Sequence, residues 1–308
     1  MSERPPIGVL AMYYGTPSGP DDVQRYYTDI RGGRPPSQKA LEDLKRRYAA
    51  IGNTFPLERV TGEQARALEA ELNAGGPRFR VFLGAKHSPP SIPDVVADMA
   101  ARGIRRAVGL VLAPHHSRMS VGGYIDRAAS VPGPHFTFVK RWYDHPAFVE
   151  VLTSRVHEAL DRLDPRQRED ALVLFTAHSL PARIVDEGDT YPDQLRETAE
   201  LVAGRLDLPR FDVGWQSAGR TDEPWLGPPL EESIEKAAAD GRAAVVVCPC
   251  GFVADHLEVL YDVDIEARGV AERAGIRLER TGSMNADPAF IRALAAVVRD
   301  HLSARGEG

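Results

Sequence analysis

The sequence predicts an α/β protein of two similar halves, each a four-stranded parallel sheet flanked by helices, with a cleft between them. Three observations predict this. Eight short apolar, β-branched runs alternate with helix-period segments along the whole chain, as parallel strands joined by crossover helices do. The runs divide four and four about residues 144–165. The 308 residues, 43% hydrophobic and 27% charged, suffice for two cores of ordinary soluble composition.

Taken in order, residues 7–14 read as the first strand, closed by a Gly-Thr-Pro turn. Helices over 37–51 and 62–73 lead to a strand at 79–85. A helix over 92–102 precedes strands at 107–113 and 136–141. The helix opened by Pro146, over 146–163, carries the chain into the second half. There the strands are 171–177, 211–216, 243–248 and 276–279, separated by helices over 192–205, 230–240 and 254–274. Asp287 before Pro288 is a cap-then-proline start for a last helix over 288–302. The expected domains are 1–145 and 146–308, with the last helix packing back on the first lobe. Leu112-Ala-Pro-His-His-Ser117 and Thr176-Ala-His-Ser-Leu-Pro181 echo one another at strand ends and suggest a distant duplication. Disorder is expected only in the terminal tails.

Composition narrows the function. A net charge of −6 and a pI near 5.9 argue against nucleic acid as a partner, because phosphate binding needs a basic surface. No run approaches 18 apolar residues and the first residues lack a basic, then apolar, leader, so a cytoplasmic protein that is not an integral membrane protein is expected. Cys248 and Cys250 are the two cysteines, too few for an iron–sulfur cluster or a four-thiolate zinc site, and they read as small residues packed at a strand end. Dinucleotide, P-loop and nucleophile-elbow signatures are absent. A doubly wound fold without phosphate loops needs another ligand.

Residues 251–266 follow the apolar run 243–250 and place Glu258, Asp262 and Glu266 at i, i+4 and i+8, with no Lys or Arg between Ala254 and Ala267. On a helix this is a row of carboxylates, and like charges four apart repel by about 0.2–0.5 kcal/mol per pair. The row is either a solvated acidic face or a set of oxygen ligands for a divalent cation at the carboxyl end of a parallel strand. His178 lies at the carboxyl end of another strand. With Glu258 it makes either a base with an oxygen ligand or two ligands of one metal, the two facing each other across a cleft. Ser179 beside it lacks the setting of a nucleophile. Tyr14 ends the first strand, and alternation sends Tyr13 to the other face. Arg31, Arg34, Lys45, Arg46 and Arg47 concentrate positive charge and suit a ligand with several carboxylates.

These elements sit in blocks that occur together in one family. Tyr14-Gly-Thr-Pro17, Tyr26-Tyr27 with Ile30-Arg31, Asp43-Leu-Lys-Arg-Arg-Tyr48, Ala113-Pro-His115, and Ser120-Val121 with Tyr124 lie in the first half. Ala177-His-Ser-Leu-Pro181, Tyr191-Pro-Asp-Gln-Leu195, Gly214-Trp-Gln-Ser217, Pro224-Trp-Leu-Gly-Pro228 and the run from Gly251 to Asp262 lie in the second. By these blocks the sequence resembles the ferrochelatases over nearly its whole length, most of all the soluble coproporphyrin III ferrochelatases of Gram-positive bacteria.

The resemblance implies two Rossmann-like, chelatase-type domains and insertion of Fe²⁺ into coproporphyrin III in haem biosynthesis, with Fe²⁺ as substrate and no organic cofactor. It implies that His178 and Glu258 are the catalytic pair, taking pyrrole protons and handling the metal. Asp262 and Glu266 continue from them as an ion path or outer site for a second divalent cation. Tyr14 matches the tyrosine on the other porphyrin face, and Arg31, Arg46, Arg47 and Tyr124 match positions that meet the macrocycle or its propionates. Expected partners are coproporphyrin III, Fe²⁺ and the haem-pathway enzymes that deliver porphyrin or accept coprohaem, and a monomer is expected.

Departures from the family pattern matter. Gly52-Asn-Thr-Phe-Pro-Leu57 puts Phe55 where relatives often have a propionate-binding serine, leaving the backbone or Thr54 to substitute. The extra cysteines of cluster-bearing members are absent, so no iron–sulfur cluster is expected. The apolar lip of membrane-bound protoporphyrin enzymes is replaced by charged sequence over 31–47, favouring the tetracarboxylate. The alternatives are a protoporphyrin IX ferrochelatase, another tetrapyrrole metal chelatase, or a non-catalytic haem or coprohaem carrier. His87, His115 and His116 are left unassigned.

Overall fold

The computed structural model describes residues 5–219 and 221–306, so the expected disordered tails and the outermost ends of the two predicted domains lie outside the described residues. The strands are β1 (Ile7–Tyr13), β2 (Phe79–Ala85), β3 (Arg106–Val111), β4 (His135–Val139), β5 (Leu172–His178), β6 (Phe211–Gln216), β7 (Ala244–Cys248) and β8 (Arg277–Arg280). They form two four-stranded sheets, ordered β2-β1-β3-β4 and β6-β5-β7-β8, with every pairing parallel. Every residue of β1 and of β7 is buried, which explains why these central strands read as unbroken apolar runs.

The helices are α1 (Val23–Ile30), α2 (Gln38–Ala50), α3 (Pro56–Leu72), α4 (Ile92–Ala101), α5 (Gly123–Ala129), α6 (Pro146–Leu160), α7 (Pro165–Asp170), α8 (Arg183–Asp186), α9 (Tyr191–Leu206), α10 (Leu230–Ala239), α11 (Leu257–Leu260), α12 (Arg268–Ala274) and α13 (Pro288–Ser303). α6 and α13 pack on each other, and α13 also packs on α3 of the first lobe. The largest core therefore runs from Val9 and Leu110 of one sheet, through Phe148, Leu152, Phe290 and Leu294 of these two helices, to Val173 and Val246 of the other. Gln64 on α3 adds a polar tie, donating to the carbonyls of Val253 at 2.9 Å and Asn285 at 2.8 Å.

Three sequence expectations need correcting. The span 254–274 is not one helix. Residues 251–256 form a loop, α11 is a single turn, and Asp262–Ala267 is a π-helical segment in which the Glu266 amide donates to the Tyr261 carbonyl, five residues back, at 3.0 Å. The helix expected from residue 62 begins at Pro56, a proline at the first helical position. α1 was not foreseen, being short and carrying buried Val23 and Tyr26 on an otherwise polar surface.

The sheet order also reassigns the internal echo. β5 occupies in its sheet the place of β1, and β7 the place of β3, so the stretch after β3 and the stretch after β5 are not equivalent. The equivalent of His178, at the end of β5, is the end of β1, where Tyr14 stands. In each sheet the chain reverses its direction of winding between these two central strands, and the crevice beyond their carboxyl ends is where open α/β sheets bind ligands. The two crevices face one another.

Candidate active site

The cleft has a volume of about 670 Å³ and is lined from both lobes. The first lobe contributes Tyr13, Tyr14, Tyr26, Tyr48, Lys86, His87, His115 and Tyr124, and the second His178, Tyr191, Ser217, His256 and Glu258. A separate groove of about 730 Å³ runs along β2 between α3 and α4, and no residue singled out from the sequence lines it.

His178 and Glu258 lie on the same wall, side by side, and do not face each other across the cleft as their places at two strand ends suggested. His178 Nε2 is 3.7 Å from Glu258 Oε1. β5 carries His178 to the crevice, and its Nδ1 meets the Ser179 carbonyl, which only accepts. Nδ1 therefore holds a proton, so that in the neutral ring it is Nε2 that presents a lone pair to the cleft. Gly251 lets the loop after β7 pass close enough to place Glu258, since a Cβ there would come within 2.5 Å of the Ala177 Cβ.

His256 is the residue that sequence reasoning missed. Its Nδ1 donates to the Ala254 carbonyl at 2.9 Å and its Nε2 lies 3.7 Å from Glu258 Oε2, so the carboxylate sits between two imidazoles. Burial opposes the charged form of His256, but the Glu258 carboxylate and the Ala254 carbonyl outweigh it and raise its pKa. Burial likewise opposes ionisation of Glu258, and attraction to His178 and His256 in their protonated forms reverses that and holds the carboxyl below its ordinary value. A histidine two residues before the acid was the available signal.

The remaining acidic residues are not a solvated row. Asp262 is only 4% exposed. Ser217, held at a φ of 61°, donates to Asp262 Oδ2, and Arg47 Nη1 stands 3.4 Å from Oδ1. Arg47 also reaches Glu266 at 4.0 Å and lies 5.0 Å from the Tyr261 ring. The i→i+5 turn is what lets successive carboxylates share one cation, because it has more residues per turn than an α-helix and keeps i and i+4 side chains closer to alignment. Among the described residues no group of three or more His, Cys, Asp and Glu is arranged to hold a metal ion.

Burial, then the Glu258 charge, push Asp262 up from 3.8 to about 7. The sign follows from linkage. Between those values the unfolded chain has lost a proton that the folded chain retains, so this group's contribution to stability is full below pH 3.8 and lost as pH rises to about 7. Asp262→Asn is expected to flatten that slope in urea titrations and to gain about 1–3 kcal/mol at pH 8. An unchanged slope would mean that Arg47 keeps Asp262 ionised throughout.

On the first lobe the strand ends at Tyr13 and the chain turns at Gly15, with φ 99°, so alternation no longer separates Tyr13 from Tyr14 and both line the cleft. The Tyr14 phenol faces the cleft at 38% exposure, edge-on to His87 at 4.7 Å, and burial with the Glu258 and Asp29 charges raises its pKa. His87 Nδ1 is 2.7 Å from Asp29, yet burial lowers its pKa. Buried His115 bonds Thr198 at 2.9 Å and is held neutral, its pKa pushed down to about 3 by burial. His116 is not in the cleft wall. Its backbone N–H and carbonyl grip Gln194 on α9 and tie the lobes.

The basic residues are less central than expected. Arg46 pairs with Asp43 and its side chain is 70% exposed, and Arg31 caps α1 with its guanidinium 6.0 Å from the Tyr27 ring. Neither lines the cleft, and Arg47 is turned toward Asp262. Tyr124 is buried in the wall. Phe55 stacks on Tyr48 at 4.5 Å, and the Thr54 hydroxyl donates to the Ile51 carbonyl, so neither offers the missing serine contact.

A two-lobed doubly wound protein with a histidine–carboxylate pair on one wall of a flat-ligand-sized cleft and a tyrosine at the equivalent place on the other has the form of a tetrapyrrole metal chelatase. The ferrochelatase family model matches residues 6–302, and the chain belongs to that family. It is 44% identical over 308 residues to a coproporphyrin III ferrochelatase of Geobacillus thermodenitrificans, covering 98% of each chain. It is 45% identical to the corresponding protein of Geobacillus kaustophilus, covering 97% of each. Among solved structures, SirB from Bacillus subtilis with Fe³⁺ matches over 98% of each chain with a TM-score of 0.61 and 13% identity, a likeness of fold.

Proposed function

We propose that this chain inserts Fe²⁺ into coproporphyrin III, releasing two protons and forming Fe-coproporphyrin III. The observation that carries the reading is the His178 imidazole, fixed with its Nε2 lone pair toward the cleft and backed at 3.7 Å by a Glu258 carboxylate that stays ionised. Metallation requires removal of both pyrrole protons and of the water around the metal. A neutral imidazole supplies the base, and an adjacent anion stabilises the imidazolium by about 4 kcal/mol at this range before desolvation is set against it. The carboxylate also replaces water on the incoming Fe²⁺. His256 keeps Glu258 oriented and ionised. Tyr14 approaches the other face of the macrocycle, and Asp262 and Glu266, neutralised in part by Arg47, give the cation an acidic approach.

A carrier would have no use for a base across the cleft from its axial ligand. No helix among the described residues is long and apolar enough to cross a membrane, and our reading is of a cytoplasmic, monomeric enzyme exchanging porphyrin and product with other haem-pathway enzymes. The test is an anaerobic absorbance assay with Fe²⁺ and either coproporphyrin III or protoporphyrin IX. Collapse of the four-banded free-base spectrum with a preference for coproporphyrin is expected. Binding of both porphyrins without metallation would overturn the enzymatic reading, and preference for protoporphyrin would overturn the substrate.

A further inference from the structure

Lys86, in the turn after β2, is a cation without a counterion in the cleft wall. Its Nζ lies 4.8 Å from the Tyr124 ring centre, and a Cβ on Gly123 would sit 3.0 Å from it, so the ammonium is packed against α5. No carboxylate among the described residues bonds to it, and the charges that act on it are those of the exposed Asp126 and of a second cation, Arg127, which donates to the Lys86 carbonyl at 2.6 Å. Arg127 has no ion-pair partner among the described residues either. Burial, with the Arg127 charge, pushes the Lys86 amine down to about 8, so it is still mostly protonated at neutral pH. A half-buried charge held against an aromatic face gains when an anion meets it. Within the cleft, that anion would come from the ligand.

Resting on the substrate reading above, we infer that Lys86, backed by Arg127, is a specificity-determining site for a peripheral carboxylate that a tetracarboxylate porphyrin carries and a dicarboxylate porphyrin lacks. Dicarboxylate porphyrins of the protoporphyrin type hold both acid groups on adjacent rings, and one group of cations can serve them. A tetracarboxylate spreads acid groups over all four rings and needs a second group. Lys86, beside β2, lines the cleft with Arg127 of α5 behind it, whereas Arg31, just past α1, and Arg46 and Arg47 on α2 lie outside the cleft lining. Apolar substituents in place of the extra carboxylates would cover Lys86 without pairing it, which discriminates against them.

The test is binding of metal-free coproporphyrin III and protoporphyrin IX by fluorescence quenching, to the wild type and to Lys86→Met, with Lys86→Gln as a smaller polar variant should Met disturb the fold. Lys86→Met is expected to weaken coproporphyrin binding by about tenfold or more and to change protoporphyrin binding by less than about threefold, collapsing the ratio. Equal weakening of both would assign Lys86 to packing, and an unchanged ratio would remove it from recognition. Either result overturns the inference. A wild type that binds the two porphyrins equally would instead sink the substrate reading on which it rests.

Discussion

His178→Ala is expected to reduce metallation by about 10³-fold while porphyrin affinity stays within a few-fold. Loss of a positioned general base removes about 10²–10⁴ in rate. Here the imidazole is also the group whose protonated form the adjacent carboxylate stabilises, which places the loss toward the middle of that range. Binding is spared because the side chain is 35% exposed and its one backbone partner, the Ser179 carbonyl, belongs to the next residue. The register of β5 with β6 and β7, and with it the cleft wall, is set by neighbours that the substitution leaves alone. Anaerobic initial rates paired with quenching titrations separate the two quantities. Parallel loss of rate and affinity would assign His178 to the shape of the site instead of to its chemistry.

Glu258→Gln is expected to lower kcat by about 10²-fold or more and to raise the KM for Fe²⁺, again with porphyrin affinity retained. Glutamine keeps the shape and can still meet either imidazole, but it has no charge to stabilise a protonated His178 or to displace water from a cation. The His256 ring reports the change separately. The Glu258 carboxylate is what raises its pKa against burial, so the amide should let it fall, and the ring should lose its proton at lower pH in the variant than in the wild type. Imidazole resonances followed against pH read this directly. A variant that keeps more than a tenth of wild-type kcat, with His256 unchanged, would show that Asp262 or the metal itself carries the charge assigned to Glu258.

Much of the candidate site's placement was legible because its residues sit at strand ends. His178, Tyr14 and the run from Gly251 are each placed by a short apolar strand that ends in a turn residue, and the sequence shows both. The placement of the arginines was less legible, for a different reason. A run such as Lys45-Arg-Arg47 on a helix points three ways, and which one meets the cleft depends on what packs beside α2. Arg47 is drawn to Asp262, Arg46 is left to Asp43 and solvent, and the cation that does line the cleft, Lys86, stands alone in a turn with nothing around it in sequence to mark it.

The sequence by itself determined the alternation of strands and helices, the division four and four, and the family to which the blocks belong, because hydrophobic period and turn chemistry are local properties. Only the tertiary structure decided what the acidic run does. Spacing of i and i+4 shows that three carboxylates share a side, but whether they are solvated, paired or buried depends on residues 40 or more positions away: Ser217 donating to Asp262, Gln216 donating to the Glu258 carbonyl at 2.9 Å, and Arg47 arriving from the other lobe. The same holds for the pairing of the two crevices. Sheet order makes the end of β1 the counterpart of the end of β5, and so sets Tyr14 against His178, a relation that no local pattern encodes because strand order is fixed by which helices can cover which face.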